Sequence, residues 1–160
     1  MTQTINRTRT IIALLLTAWA LPAAGQPAGS NEDDVMKTVR QWVDGLNRGN
    51  TGDAIAACAR DATIVDEYPP YHWQGEGTCA RWLTELTAYN KSIGLTDGIN
   101  TLRKPRRVDI TGDHAYVVVP ADFRYKLNGK KGAEIGALFT VALQKQTEGW
   151  RITGWAWSRP

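Results

Sequence analysis

The chain has 160 residues, 19 lysines and arginines against 16 aspartates and glutamates, a net charge of +3, seven tryptophans and two cysteines. That length suits one domain with one core, and so slight a positive balance argues against a surface built to track nucleic-acid phosphates. Two cysteines cannot close a zinc site, and two histidines far apart in sequence among scattered acids give no metal-ligand spacing, so no metal is expected.

The N-terminus reads as an export signal. "MTQTINRTRT" carries Arg7 and Arg9 and no acid, "IIALLLTAWAL" is apolar, and "PAAGQ" supplies the small residues of a cleavage site, placing the cut after Gly25. The apolar run is about half the roughly 20 residues a spanning helix needs, so no membrane anchor is expected after cleavage. Arg7 and Arg9 account for two of the three surplus charges, which leaves the exported chain nearly neutral. "RKPRR", Arg103 to Arg107, is its one basic cluster and reads as a solvated strand edge, not a nucleic-acid site. The chain therefore divides into a signal, 1–25, a flexible lead, 26–31, and a single domain, 32–158, with a periplasmic or extracellular destination.

Ser30 and Asp33 have capping-box spacing, and Val35, Val39, Trp42, Val43 and Leu46 mark one face of a first helix, which "RGNTG" ends. A short second helix is expected near 52–59, carrying Ile55 and Cys58, followed by a strand near 61–67 through "ATIVDE". "YPPY" and "QGEG" are turn chemistry, with a brief strand through His72 and Trp73. Thr78 suits the N-cap of a third helix, in which Cys79, Trp82, Leu83, Leu86 and Tyr89 form one apolar stripe, and "SIGLTDG" breaks it.

From about residue 100 the period changes to two. "LRKPRRVDI", "HAYVVVPADFRYKL", "AEIGALFTVALQKQ" and "GWRITGWAWS" are divided by "TGD", "NGK" and "TEG", as in consecutive antiparallel strands. In the third of these Ile135, Ala137, Phe139, Val141 and Leu143 should face the core, with Glu134, Gly136, Thr140 and Gln144 wet. Pro120 predicts an edge or a bulge in the second. The order predicts an α+β domain, three helices packed on a curved antiparallel sheet of four long strands plus the strand near 61–67. Three helices do not fill the hollow of such a sheet, so a pocket is expected between them.

In an oxidising compartment Cys58 and Cys79 would either remain free or pair across a loop of about 20 residues, worth about 3 kcal/mol in the chain-entropy account.

"WVDGLNRGNTGDAIAACARDATIVDE", "WQGEGTCARWL" and the closing "GWRITGWAWS" resemble the SnoaL-like branch of the nuclear transport factor 2-like superfamily. The resemblance covers about 32–158 and implies a cone-shaped α+β fold. It does not imply one activity, because that superfamily holds isomerases, dehydratases, cyclases, hydrolases and binding domains. Ketosteroid isomerase is the catalytic member this chain is most readily set beside. That likeness places Asp66 at the general-base position, Trp42 where the isomerase has its oxyanion tyrosine, and a residue near Ala137 where it has a second acid. With no acid at that last position, steroid isomerisation is not expected.

"DEYPPYHW", residues 66–73, is the candidate site. Asp66 at a strand end under an apolar pocket would be partly desolvated and suited to proton transfer, and His72 could pair with it across the turn. Its plainer role is a strand-end acid bonded to its own turn. Glu67 should point away from Asp66 if the strand continues. Trp42, Tyr68, Trp73, Trp82, Phe123, Phe139 and Trp155 are candidate ligand-binding residues, since aromatic side chains in excess of core needs can hold a ring-bearing or apolar small molecule. No "GxxxxGK[ST]", "GxGxxG" or "GxSxG" appears, and no cofactor is expected. Three readings stand together: an exported small-molecule-binding domain, a cofactor-free isomerase, lyase or hydrolase using Asp66, and a non-catalytic homodimer with a filled interior.

Overall fold

A computed structural model describes residues 28–159; the expected export signal, 1–25, lies outside them. Helix α1 (Ala28–Asn47) begins ahead of the expected Ser30 cap and buries Val35, Val39, Trp42 and Val43, the face its 3.6-residue period marks. Full burial of such side chains is worth about 1.5–3 kcal/mol each. Helix α2 (Thr51–Ala56) is started by Asn50, whose side-chain oxygen accepts from the Asp53 N–H at 3.2 Å. Gly45 lets the two helices meet, because a Cβ there would lie 2.7 Å from Ala54 N.

Strand β1 (Cys58–Val65) starts earlier than expected and takes Cys58 out of the helix. Strand β2 (His72–Glu76) pairs with it, with Ile64 opposite Trp73 and Val65 opposite His72. Helix α3 (Thr78–Ile93) is capped by Gly77 in the left-handed region, not by Thr78, which is buried with its hydroxyl donating to Gly75 O at 2.6 Å. A disulfide joins Cys58 at the start of β1 to Cys79 in the first turn of α3.

"SIGLTDG" was expected only to break the helix, yet it holds the start of β3 (Leu95–Leu102). Its "TDG" is an irregularity inside that strand, with Asp97 at φ +54° between the pairs Thr96–Lys126 and Ile99–Arg124. "LRKPRRVDI" splits into the end of β3, a crossing loop, and β4 (Arg107–Thr111). Strands β5 (His114–Leu127), β6 (Lys130–Gln146) and β7 (Gly149–Ser158) follow as expected.

The sheet runs β2-β1-β7-β6-β5-β3, with β4 also on β5, so the described residues hold seven strands in place of the five or six expected. All pairs are antiparallel except β1–β7. Pro120 sits where the partner of β5 changes from β4 to β3. Its carbonyl accepts from Arg103 N at 2.8 Å, so the side on which it lacks an N–H faces that gap in the edge.

Two bulges decide which side chains face inward. In β6, Ala137 pairs with Ala121 but Ile135 pairs with Asp122, which leaves Gly136, at φ +83°, as an extra residue. The Asp122 carboxylate accepts from Gly136 N at 2.9 Å and from Arg103 Nη2 at 2.7 Å, fixing the bulge. Before Gly136 the alternation is therefore inverted: Ile135 is 46 % exposed, and Glu134 turns to the concave side. In β7 an extra residue at Thr153 keeps Trp150 and Ile152 buried and puts Trp155 and Trp157 on the inner side as well.

Candidate functional site

The helices leave a cavity of about 580 Å³ against the concave sheet, within the range of small-molecule sites. Its apolar part is an aromatic cluster contributed by four elements. Trp42 of α1 lies 5.5 Å from Trp82 of α3 and 6.0 Å from Trp155 of β7, centroid to centroid. Trp82 meets Trp155 edge to face at 4.8 Å, and Phe139 of β6 lies 5.6 Å from Trp155. Such arrangements add about 0.5–1.5 kcal/mol per pair beyond area burial, so the cluster is a stiff wall. Phe123 of β5, stacked on Tyr125 at 5.0 Å, lines the same cavity two strands away from Trp155.

The polar part begins where β1 ends. Asp66 N–H donates to Tyr71 O at 3.1 Å and Tyr71 N–H to Tyr68 O at 2.8 Å, closing a turn that contains the cis Pro69–Pro70 bond. Because the chain leaves the strand at Val65, alternation no longer applies, and both Asp66 and Glu67 line the cavity. The expectation that Glu67 points away from Asp66 is thus corrected.

Asp66 is held by two neutral donors: Glu67 N–H reaches Oδ1 at 2.8 Å and Trp82 Nε1–H reaches Oδ2 at 2.9 Å. Burial outweighs both and pushes its pKa up from 3.8 to about 6, with the Glu67 charge raising it further and Arg159 opposing. A carboxylate of that affinity accepts and returns a proton near neutral pH. Tyr68, beside it, donates its hydroxyl to Trp82 O at 3.1 Å, and burial together with the Asp66 charge holds that phenol well above its ordinary value.

Glu134 faces the same region from β6. Trp157 Nε1–H donates to its Oε2 at 3.2 Å, while burial and the nearby Glu67 carboxylate raise its pKa. Arg159 closes this end, donating to both Glu67 oxygens, from Nη2 to Oε1 at 2.7 Å, and lying 3.3 Å from Glu134 Oε1. Those carboxylates hold the guanidinium pKa above its usual range.

Of the residues singled out in the sequence, Asp66, Trp42, Tyr68, Trp82, Phe123, Phe139 and Trp155 all line this one cavity. Two do not. His72 is exposed and pairs with Val65, whose side chain is also exposed, so it lies outside the cavity lining and is not brought to Asp66. Trp73 points to the other face of β2 and is buried in the core. It backs Tyr68 at 4.8 Å and donates to Glu85 Oε2 at 2.7 Å without reaching the cavity.

Sequence reasoning missed Glu67, Glu134 and Arg159 as cavity groups. For Glu134 the available signal was Gly136, a glycine interrupting a run of alternating apolar residues, which can mark a bulge. Ala137, where the isomerase likeness would put a second acid, is fully buried and outside the lining; Glu134, on the same strand, is the acid that enters.

No family model and no curated protein matches the chain. Solved structures do. A nuclear transport factor 2-like superfamily protein from Salmonella enterica superposes with a TM-score of 0.70 at 12 % identity, covering 84 % of this chain and 94 % of that one. A ketosteroid isomerase-like protein from Erwinia carotovora gives 0.61 at 16 % identity, covering 81 % and 95 %. A nuclear transport factor 2-like protein with a cystatin-like fold from Novosphingobium aromaticivorans gives 0.65 at 11 % identity, covering 81 % and 82 %. At these identities the likeness establishes the fold alone, the arrangement of helices on a curved sheet seen in nuclear transport factor 2-like proteins.

Proposed function

We propose that this chain is an exported SnoaL-like binding protein whose cavity takes a small molecule with a ring-bearing or otherwise apolar body. The observation that carries the reading is the open hollow of about 580 Å³ walled by Trp42, Trp82, Phe139 and Trp155. Those rings pack on one another and still leave the hollow open beside them. Export is supported by the signal-like pattern of residues 1–25 and by the Cys58–Cys79 disulfide, a bond that persists in oxidising compartments. No described helix is long and apolar enough to cross a membrane.

A second reading has its own observation. The Asp66 carboxyl sits on the cavity wall with a pKa near 6, which suits a general base in a cofactor-free isomerase, lyase or hydrolase. Both readings place the same guest in the same cavity.

Tryptophan fluorescence titrated with 2-naphthol, a neutral bicyclic arene, tests the first. Saturable quenching is expected, weakened at least about tenfold by Trp155→Ala, because a lost aromatic wall costs more than the 1.4 kcal/mol that tenfold represents. Linear, non-saturating quenching with both proteins would end the binding reading.

A further inference from the structure

The cavity proposed above as a binding site carries a charge that its guest must meet. Among the described residues four carboxyl side chains line it, Asp66, Glu67, Asp97 and Glu134, against a single basic one, Arg159. Asp97 is answered by Lys126 Nζ at 2.9 Å. Arg159 is engaged by Glu67 through two N–H groups and lies 3.3 Å from Glu134 Oε1, so one guanidinium serves two carboxylates. Asp66 is held only by uncharged donors, the Glu67 backbone N–H and the Trp82 indole. With its acids ionised, this end of the cavity therefore holds more negative charge than the described residues around it offset.

The aromatic wall acts in the same direction. Trp82 donates its N–H to Asp66 and Trp157 donates to Glu134. Donation to a carboxylate polarises an indole and leaves its ring more electron-rich, and the face of tryptophan is already the strongest aromatic partner for a cation. Trp42 and Trp155 pack directly against Trp82, so the electron-rich rings and the under-compensated acids border one space. A neutral guest would strip water from those carboxylates and return no charge, whereas a cation would supply the missing counter-charge.

We infer that the cavity selects an organic cation, a small molecule with an apolar or ring-bearing body and an ammonium group. The body lies against the wall formed by Trp42, Trp82 and Trp155, and the charge lies toward the end where Asp66, Glu67 and Glu134 are gathered with Arg159. The inference rests on the binding reading above and names its ligand class.

Isothermal titration of the exported chain, disulfide intact, with three compounds of similar size tests it. These are benzyltrimethylammonium, the neutral 2,2-dimethyl-1-phenylpropanol of nearly the same shape, and phenylacetate. The cation is expected to bind at least about tenfold more tightly than the neutral compound, as one desolvated cation–π contact with a charge partner would give, and phenylacetate most weakly. Asp66→Asn and Glu134→Gln should each reduce the cation's advantage several-fold, while Glu148→Gln, at an exposed turn, should leave it intact. Glu134→Gln alone decides the matter if Asp66→Asn fails to fold. Equal affinity for the cation and the neutral compound would overturn this inference and leave the apolar binding site standing. An advantage unchanged in both acid variants would overturn it too, and no binding of any of the three would overturn the binding site itself.

Discussion

Asp66 makes the fold measurably sensitive to pH, and replacing it by asparagine isolates that effect. Its pKa rises from 3.8 in the unfolded chain to about 6 in the folded one, chiefly through burial. A carboxyl raised in this way binds its proton more tightly when folded, so its contribution is most favourable below about pH 4 and is lost as pH climbs through 6. At about 1.4 kcal/mol per pH unit, the gap between those values is worth about 3 kcal/mol of lost stability by pH 8. Asp66→Asn removes the ionisation. Its amide can accept from the Glu67 N–H or from Trp82 but not from both, which costs about 1 kcal/mol. The variant should therefore be about 2 kcal/mol more stable than wild type at pH 8 and about 1 kcal/mol less stable at pH 4. Urea unfolding of both proteins at half-unit pH steps measures the difference, with the nearby Glu67, Glu134, Arg159 and Tyr68 common to the two. Parallel stability profiles for the two proteins from pH 4 to pH 8 would refute the reasoning, since they would mean that the Asp66 carboxylate is fully hydrated in the folded state.

The Trp82 indole lowers the proton affinity of Asp66, so Trp82→Phe should raise that pKa above 6; carbon-detected NMR titration of the carboxyl reads it, and the absence of a rise would show the indole bond to be unimportant. The disulfide closes a 21-residue separation. Cys58→Ser with Cys79→Ser should cost about 3 kcal/mol of unfolding free energy, and a loss below about 1 kcal/mol by urea titration would mean that packing of β1 on α3 already does the work of the bond.

Much of this site was legible locally. The 3.6-residue faces of α1 and α3 placed Trp42 and Trp82 inward, because an amphipathic helix has one way to bury its stripe. "ATIVD" placed Asp66 at a strand end, and in the fold that acid stands at the cavity wall. His72 and Trp73 were misjudged for a single reason. Both lie in "DEYPPYHW", but β2 pairs with β1 so that one faces solvent and the other the core, and neither faces the hollow.

What the chain determines by itself is its three helices, most of its strands, its apolar faces and the two cysteines available to pair. Those are properties of neighbours a few residues apart, set by helical and extended periods. Tertiary structure decided the charged end of the cavity. A strand's period of two holds only while its ladder is unbroken, and one extra residue at Gly136 turned Glu134 inward, while another at Thr153 did the same for Trp157. A bulge exists only relative to a partner strand. Glu134 therefore joins Asp66 not through any local pattern but because Asp122, on the neighbouring strand, accepts the Gly136 N–H and holds the extra residue in place.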